Sequence, residues 1–188
     1  MEISRYTHPW EAPQINEKGH LLFGGCDTVE LAKEYGTPLY VMDEERIRQN
    51  LRSIKDALCE LGVEGSVLFA SKAFSNKAIY RIVHSEGVGT DVVSAGELYT
   101  ALEAGMPPEK IYFHGNNKTD FELQMAVDNG IGCIVVDSHE EVGIIAKLAH
   151  GMGRIVDVSL RVKPGIEAHT HEYITTGTND SKFGMGVA

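Results

Sequence analysis

Five polar residues recur at a near-regular interval through the middle of this chain. They are Lys72, Asp91, His114, Asp137 and Arg161, spaced 19, 23, 23 and 24 residues apart. Each closes or follows a short apolar run. A lysine just past such a run, Val67-Leu-Phe-Ala70, projects beside apolar walls, where desolvation favours the neutral amine. A neutral amine attacks carbonyl carbon and forms a Schiff base. The plainer reading is a strand-end lysine that lays its stem on the surface and keeps its ammonium in water. Asp91 could orient that lysine or balance its charge, or it could be a turn residue at the start of the next helix. Arg161 carries a permanently charged fork of donors suited to an anion, and its alternative is an ion pair with Asp91 or Asp137. His114 precedes Gly115-Asn-Asn-Lys118 and could shape a pocket or be a satisfied core histidine. Asn116, Asn117 and Lys118 read as loop residues leading into a helix.

Other residues invite chemistry less. His169 and His171 would share one face of a strand with Glu172 adjacent, but the spacing is no established zinc pattern, so no metal is expected. Cys26, Cys59 and Cys133 are odd in number, widely spaced and without a CxxC pair, which reads as reduced thiols. The formal net charge of −10 argues against nucleic acid and anionic membrane as partners. No apolar run reaches the roughly 18 residues of a membrane span. Residues 1–20 lack the basic-then-apolar order of a signal peptide, so a cytoplasmic location is expected.

The elements that must position these residues follow a repeating plan. Residues 1–36 carry little period. Ile15 to Gly25 reads as a hairpin turning at Asn16-Glu-Lys-Gly19, and Val29 to Tyr35 as a helix stopped by Gly36. Pro38 to Met42 reads as a strand, and Asp43 as the cap of a helix reaching Leu61. From Gly65 onward, strands at 67–70, 89–93, 111–114, 133–137 and 155–162 alternate with helices at 76–84, 94–105, 119–130 and 138–151. Ser94-x-x-Glu97, Thr119-x-x-Glu122 and Ser138-x-x-Glu141 each fit a capping box. The last helix is expected to bury Val142, Ile145, Ala146 and Ala149.

Such a βαβ series gives a doubly wound sheet or a (β/α) barrel. Barrels carry their chemistry at the C-terminal ends of several strands, whereas an open sheet gathers ligand contacts at one switch point. The distribution of the five polar residues favours the barrel, and no GxGxxG or Walker motif supports a nucleotide fold. Five or six units are visible where a barrel needs eight.

Several segments then point to a family. Phe69-Ala-Ser-Lys-Ala73 resembles the segment bearing the cofactor lysine in fold-type III pyridoxal-phosphate decarboxylases, the ornithine, arginine and diaminopimelate group. Asp91-Val-Val-Ser-Ala-Gly-Glu-Leu98, Phe113-His-Gly-Asn-Asn-Lys118, Val136-Asp-Ser138 and Arg161-Val-Lys-Pro-Gly165 resemble its next four motifs in order. Ala168-His-Thr-His-Glu-Tyr-Ile-Thr-Thr-Gly177 and Asp180-Ser-Lys-Phe-Gly184 are closest to its diaminopimelate branch. Lys163 stands where many relatives carry Asn.

The resemblance implies an α/β fold: a (β/α)8 TIM barrel of the alanine-racemase-like type, incomplete over 37–188, with residues 1–36 joining a β domain that is absent here. It implies pyridoxal 5'-phosphate as cofactor, held by Lys72 with Asp91, His114 and Arg161 around it. Arg161 would donate to the cofactor's phenolic oxygen. It also implies an amino-acid substrate, a homodimer with sites at the subunit interface, and decarboxylation of meso-diaminopimelate to lysine. The family's ring-stacking His, phosphate loop, pyridine-pairing Glu and Cys proton donor would lie beyond Ala188. The 188 residues alone are therefore expected to be inactive and poorly stable. The alternatives are a related decarboxylase or racemase, a class I aldolase using Lys72 without the cofactor, and an inactive dimerising relative.

Overall fold

The computed structural model describes residues 14–165 and 182–186. The chain divides into two compact units, residues 1–53 and 54–188.

In the first unit, β1 (Gln14–Ile15), β2 (Leu21–Phe23) and β3 (Cys26–Asp27) form an antiparallel sheet in sequence order. The expected β1–β2 hairpin is present. Asn16 Oδ1 accepts from the amides of Lys18 and His20, both at 3.0 Å, the local turn chemistry that asparagine favours. Asp27 then caps α1 (Thr28–Tyr35), accepting from Val29 and Glu30 amides. Asn16 Nδ2 at 2.7 Å and His20 Nδ1 at 2.9 Å tie the hairpin turn to the same carboxylate. Partial burial works to raise the Asp27 pKa, but these donors outweigh it and hold it at about 2.

The strand expected at 38–42 does not form. Those residues lie outside regular structure, pair with none of the described strands, and leave Tyr40 97% exposed. A β-prone run becomes a strand only where a neighbour takes up its amides and carbonyls. The helix that follows, α2 (Glu44–Glu60), starts as expected, with Asp43 Oδ1 accepting from the Arg46 amide at 3.0 Å.

The second unit is built on five parallel strands: β4 (Leu68–Ala70), β5 (Gly89–Val92), β6 (Ile111–Phe113), β7 (Cys133–Val136) and β8 (Val158–Leu160), hydrogen-bonded in that order. Between them run α3 (Lys77–Ser85), α4 (Ala95–Glu103), α5 (Asp120–Asn129) and α6 (His139–Met152), each packed on the next. The strand order never reverses, so there is no switch point, and the arrangement is that of a (β/α) barrel wall rather than a doubly wound sheet. A short parallel pair, β9 (Val162–Lys163) and β10 (Met185–Gly186), follows β8.

The core lies between sheet and helices. Val92, Ile111, Phe113, Ile134 and Val136 from the strands meet Tyr80, Val83, Leu98 and Leu123 from the helices, all essentially solvent-free. Each such aliphatic or aromatic side chain stabilises the fold by about 1.5–3 kcal/mol. The alternate strand positions, Asp91 and Tyr112 among them, face the opposite side, toward a cavity. The period of two along a strand thus separates the apolar core from the polar side chains.

Two details of α6 depart from expectation. Gly151 lies inside the helix, and Gly153, in the left-handed region at φ 61, ends it. The buried face centres on Glu141 and Ile145, while Val142 and Ala146 are exposed. Hydrophobicity alone turns the helix about one residue too far, because a buried ion pair draws Glu141 inward.

Candidate active site

The C-terminal ends of the five strands surround an open cavity of ≈ 780 Å³, and Lys72, Asp91, His114 and Arg161 all line it. Strand register explains the convergence. Ala70 pairs with Asp91, Val92 with Phe113, and Val136 with Leu160. Parallel strands paired in consecutive order therefore bring all four to the same end of the sheet, although almost ninety positions separate the first from the last.

Lys72 lies in a 3-10 turn, Ser71–Ala73, directly after β4. Ser71 is fully buried and fixes that turn. Its amide donates to Asp91 Oδ1 at 3.1 Å, and its hydroxyl to the Asp91 carbonyl at 2.6 Å. The Asp91 carboxylate thus braces the lysine-bearing turn through the backbone, and does not cap the helix at Ser94. The expectation that Lys72 is desolvated fails: the residue is exposed at the edge of an open cavity.

His114 is half-buried at the end of β6, its amide bonded to the Val92 carbonyl at 2.8 Å. Burial pushes its pKa below the ordinary 6.5. Asp91 opposes that shift, and the positive charges of Arg161, Lys118 and Lys72 add to it. The surroundings of His114 accordingly favour the neutral imidazole. Arg161 is half-buried. Its guanidinium faces the Phe183 ring, 4.3 Å from the centroid, and stands 3.8 Å from Asp137 Oδ1. Of its two alternative ion-pair partners, Asp137 is the one it meets.

The rim is held by glutamates whose role sequence reasoning understated. Only the α5 start closes a full capping box, with Thr119 and Glu122 exchanging bonds. In α4 and α6 the glutamate reaches one residue further back, Glu97 to the Val93 amide at 2.6 Å and Glu141 to the Asp137 amide at 2.9 Å. Each of the three also touches the preceding βα unit. Glu97 accepts from the Ser71 hydroxyl at 3.3 Å, Glu122 from the Ala95 amide at 3.0 Å, and Glu141 from Lys118 Nζ at 2.9 Å. The Lys118–Glu141 pair is buried, its side chains 1% and 5% exposed, and Lys118 Nζ also donates to the Gly115 carbonyl at 2.6 Å. The repeated Ser/Thr-x-x-Glu spacing held the signal for these ties, but the spacing alone does not say which neighbour a carboxylate meets.

The site therefore offers an accessible primary amine, a guanidinium and an imidazole around one cavity. Residues 44–188 match the pyridoxal-binding domain of the pyridoxal-dependent decarboxylases. The chain belongs to this family. Within it, the chain is 54% identical over 174 residues to diaminopimelate decarboxylase of Bacillus methanolicus, covering 93% of this chain and 40% of that protein. It is 53% identical to the Bacillus subtilis enzyme, covering 92% and 39%. The crystal structure of diaminopimelate decarboxylase from M. jannaschii in co-complex with L-lysine superposes with TM-score 0.81 at 39% identity, over 94% of this chain and 42% of that one. The chain thus spans about 40% of the length of the curated relatives it matches. The family's cofactor is pyridoxal phosphate, and the residues present fit it: an amine for its carbonyl and a permanent cation for its oxygen anions. None of the described helices is long and apolar enough to cross a membrane.

Proposed function

We propose that this chain is the cofactor-holding part of a diaminopimelate decarboxylase, which removes one carboxylate of meso-diaminopimelate to leave L-lysine. The observation that carries this reading is the convergence of Lys72, Asp91, His114 and Arg161 on one cavity in a chain about half identical to diaminopimelate decarboxylases.

Each residue has a defined task. Lys72 Nζ would supply the amine that holds the cofactor. Asp91 holds the Lys72 turn in place through the Ser71 amide. Arg161 supplies a charge that no working pH removes, directed at the cofactor's phenolic oxygen. His114 presents an uncharged imidazole that shapes the pocket wall. Bound there, pyridoxal phosphate supplies a carbonyl that captures amines and a ring that takes up the electron pair left when carbon dioxide departs. The protein works as a homodimer in the cytoplasm on a small amino-acid substrate. A net charge of −10 favours no nucleic-acid or membrane partner.

Borohydride reduction of the native-length protein followed by peptide mass mapping tests the site. A pyridoxyl adduct on Lys72 is expected, together with lysine and carbon dioxide release from meso-diaminopimelate. An adduct on another lysine would overturn the site assignment. Faster turnover of ornithine, arginine or lysine would overturn the substrate.

A further inference from the structure

Arg161 is aimed by a group outside the cavity lining. The Val136–Leu160 register and the 2.9 Å bond from the Arg161 amide to the Val136 carbonyl bring residues 137 and 161 off the sheet side by side. The Asp137 side chain is 4% exposed. Among the described residues its Oδ1 is buried and accepts no hydrogen bond. A buried carboxylate oxygen in that condition is costly unless a charge compensates it. The Arg161 guanidinium, 3.8 Å away, is that charge. At this separation no N–H is spent on a hydrogen bond to Oδ1, so the carboxylate attracts the donor fork by charge without engaging its donors. The Phe183 ring bounds the guanidinium as a second contact, 4.3 Å from the ring centroid.

Asp137 is itself rigidly placed. Its amide donates to Glu141 Oε2 at 2.9 Å, and the same oxygen holds the buried ammonium of Lys118 at 2.9 Å. Lys118 in turn donates to the carbonyl of Gly115, the residue after His114. A chain of polar contacts, buried at its centre, therefore runs from the His114 loop to the guanidinium.

We infer that Asp137 is a positioning residue for Arg161: its buried carboxylate and the Phe183 ring clamp the guanidinium so that its donors face the cavity, and this clamp sets how tightly pyridoxal phosphate is held. The inference rests on the reading of Arg161 as a cofactor contact.

The test is a double-substitution cycle in the native-length protein. Pyridoxal phosphate affinity and the visible absorption maximum of the bound cofactor are measured for D137N, R161M and the pair. D137N is expected to weaken binding about tenfold and to shift the maximum in the parent protein, yet to change affinity less than about twofold in the R161M background, because groups acting through one contact are not additive. An equal loss from D137N in both backgrounds would assign Asp137 a merely structural role and overturn the inference, as would no loss in either. Unchanged affinity in R161M itself would instead remove Arg161 from the cofactor site, and the inference would fall with that reading.

Discussion

The two ends of the parallel sheet solve different problems. At the C-terminal end, the loops after β4, β5, β6 and β7 carry polar side chains, and residues at the ends of β4, β5, β6 and β8 line a cavity of ≈ 780 Å³. Glutamates from the following helices cross-tie them. At the N-terminal end, the loops into β5 and β7 close on their neighbours until only glycine fits. A Cβ on Gly132 would lie 2.2 Å from the Glu109 carbonyl oxygen, and one on Gly89 would lie 2.6 Å from that of Lys110. One end is held open by charge and hydrogen bonds, the other closed by backbone contact. In barrels the first end carries catalysis and the second stability.

Substitutions should therefore sort by end, and the largest separation is expected at Lys72. On the proposed function, K72A in the native-length protein should lower decarboxylase turnover by on the order of a thousandfold or more, as loss of a covalent catalytic group does. The urea midpoint should stay put, because the residue is exposed and its side chain is no part of the core. A large loss of stability in K72A would blur the division between the ends.

Next in size is the buried pair. E141L leaves Lys118 Nζ buried without its carboxylate and should destabilise the second unit by about 3–5 kcal/mol, read as a lower urea midpoint. Adding K118M should recover part of that loss, because the uncompensated charge is then gone. A double substitution as damaging as the sum of the singles would show that the pair does not act as a unit.

G132A sharpens the comparison from the other end. Overpacking against a backbone carbonyl should cost about 1–3 kcal/mol of stability, while pyridoxal phosphate affinity of the folded protein should not move. Weakened affinity there would mean that the closed end transmits strain to the open one.

The smallest effects are titrations. His114 should show an NMR midpoint below 6.5, the ordinary value from which burial lowers it. R161M should raise that midpoint, since Arg161 is among the charges that depress it. A midpoint above 6.5 would mean that Asp91 outweighs burial. In the first unit, the Asp27 pKa of about 2 lies below its ordinary 3.8. A depressed carboxyl contributes stability above its unfolded pKa and loses it as pH falls through the folded one. Amide protection at the start of α1 should therefore fall between about pH 4 and 2, and D27N should flatten that dependence.

The repeating part of the chain was legible in its residues because the signals there are local. Ser94, Thr119 and Ser138 open the helices they were expected to open, since a cap bonds within three residues of itself. Short apolar runs became strands wherever a parallel neighbour lay beside them. The same kind of run at 38–42 did not, because pairing is a property of two segments and a propensity belongs to one. The four cofactor candidates were legible as strand-end residues of the right chemical types, and their family pattern named them together.

Partner choice was not legible. Lys118 read as a loop residue and Glu141 as part of a cap, yet the fold buries them against each other. Val142 read as core and is exposed. Lys72 read as desolvated and faces an open cavity. In the repeating part of the chain, the sequence by itself determined element types, their order and the chemistry available at each strand end, because these depend on side-chain type and on contacts a few residues away. Only the tertiary structure decided which carboxylate meets which cation, how deeply each amine lies, and that Asp137 faces Arg161. Those outcomes depend on the register of strands joined across more than twenty residues, and burial sets the strength of every charge only after that register is made.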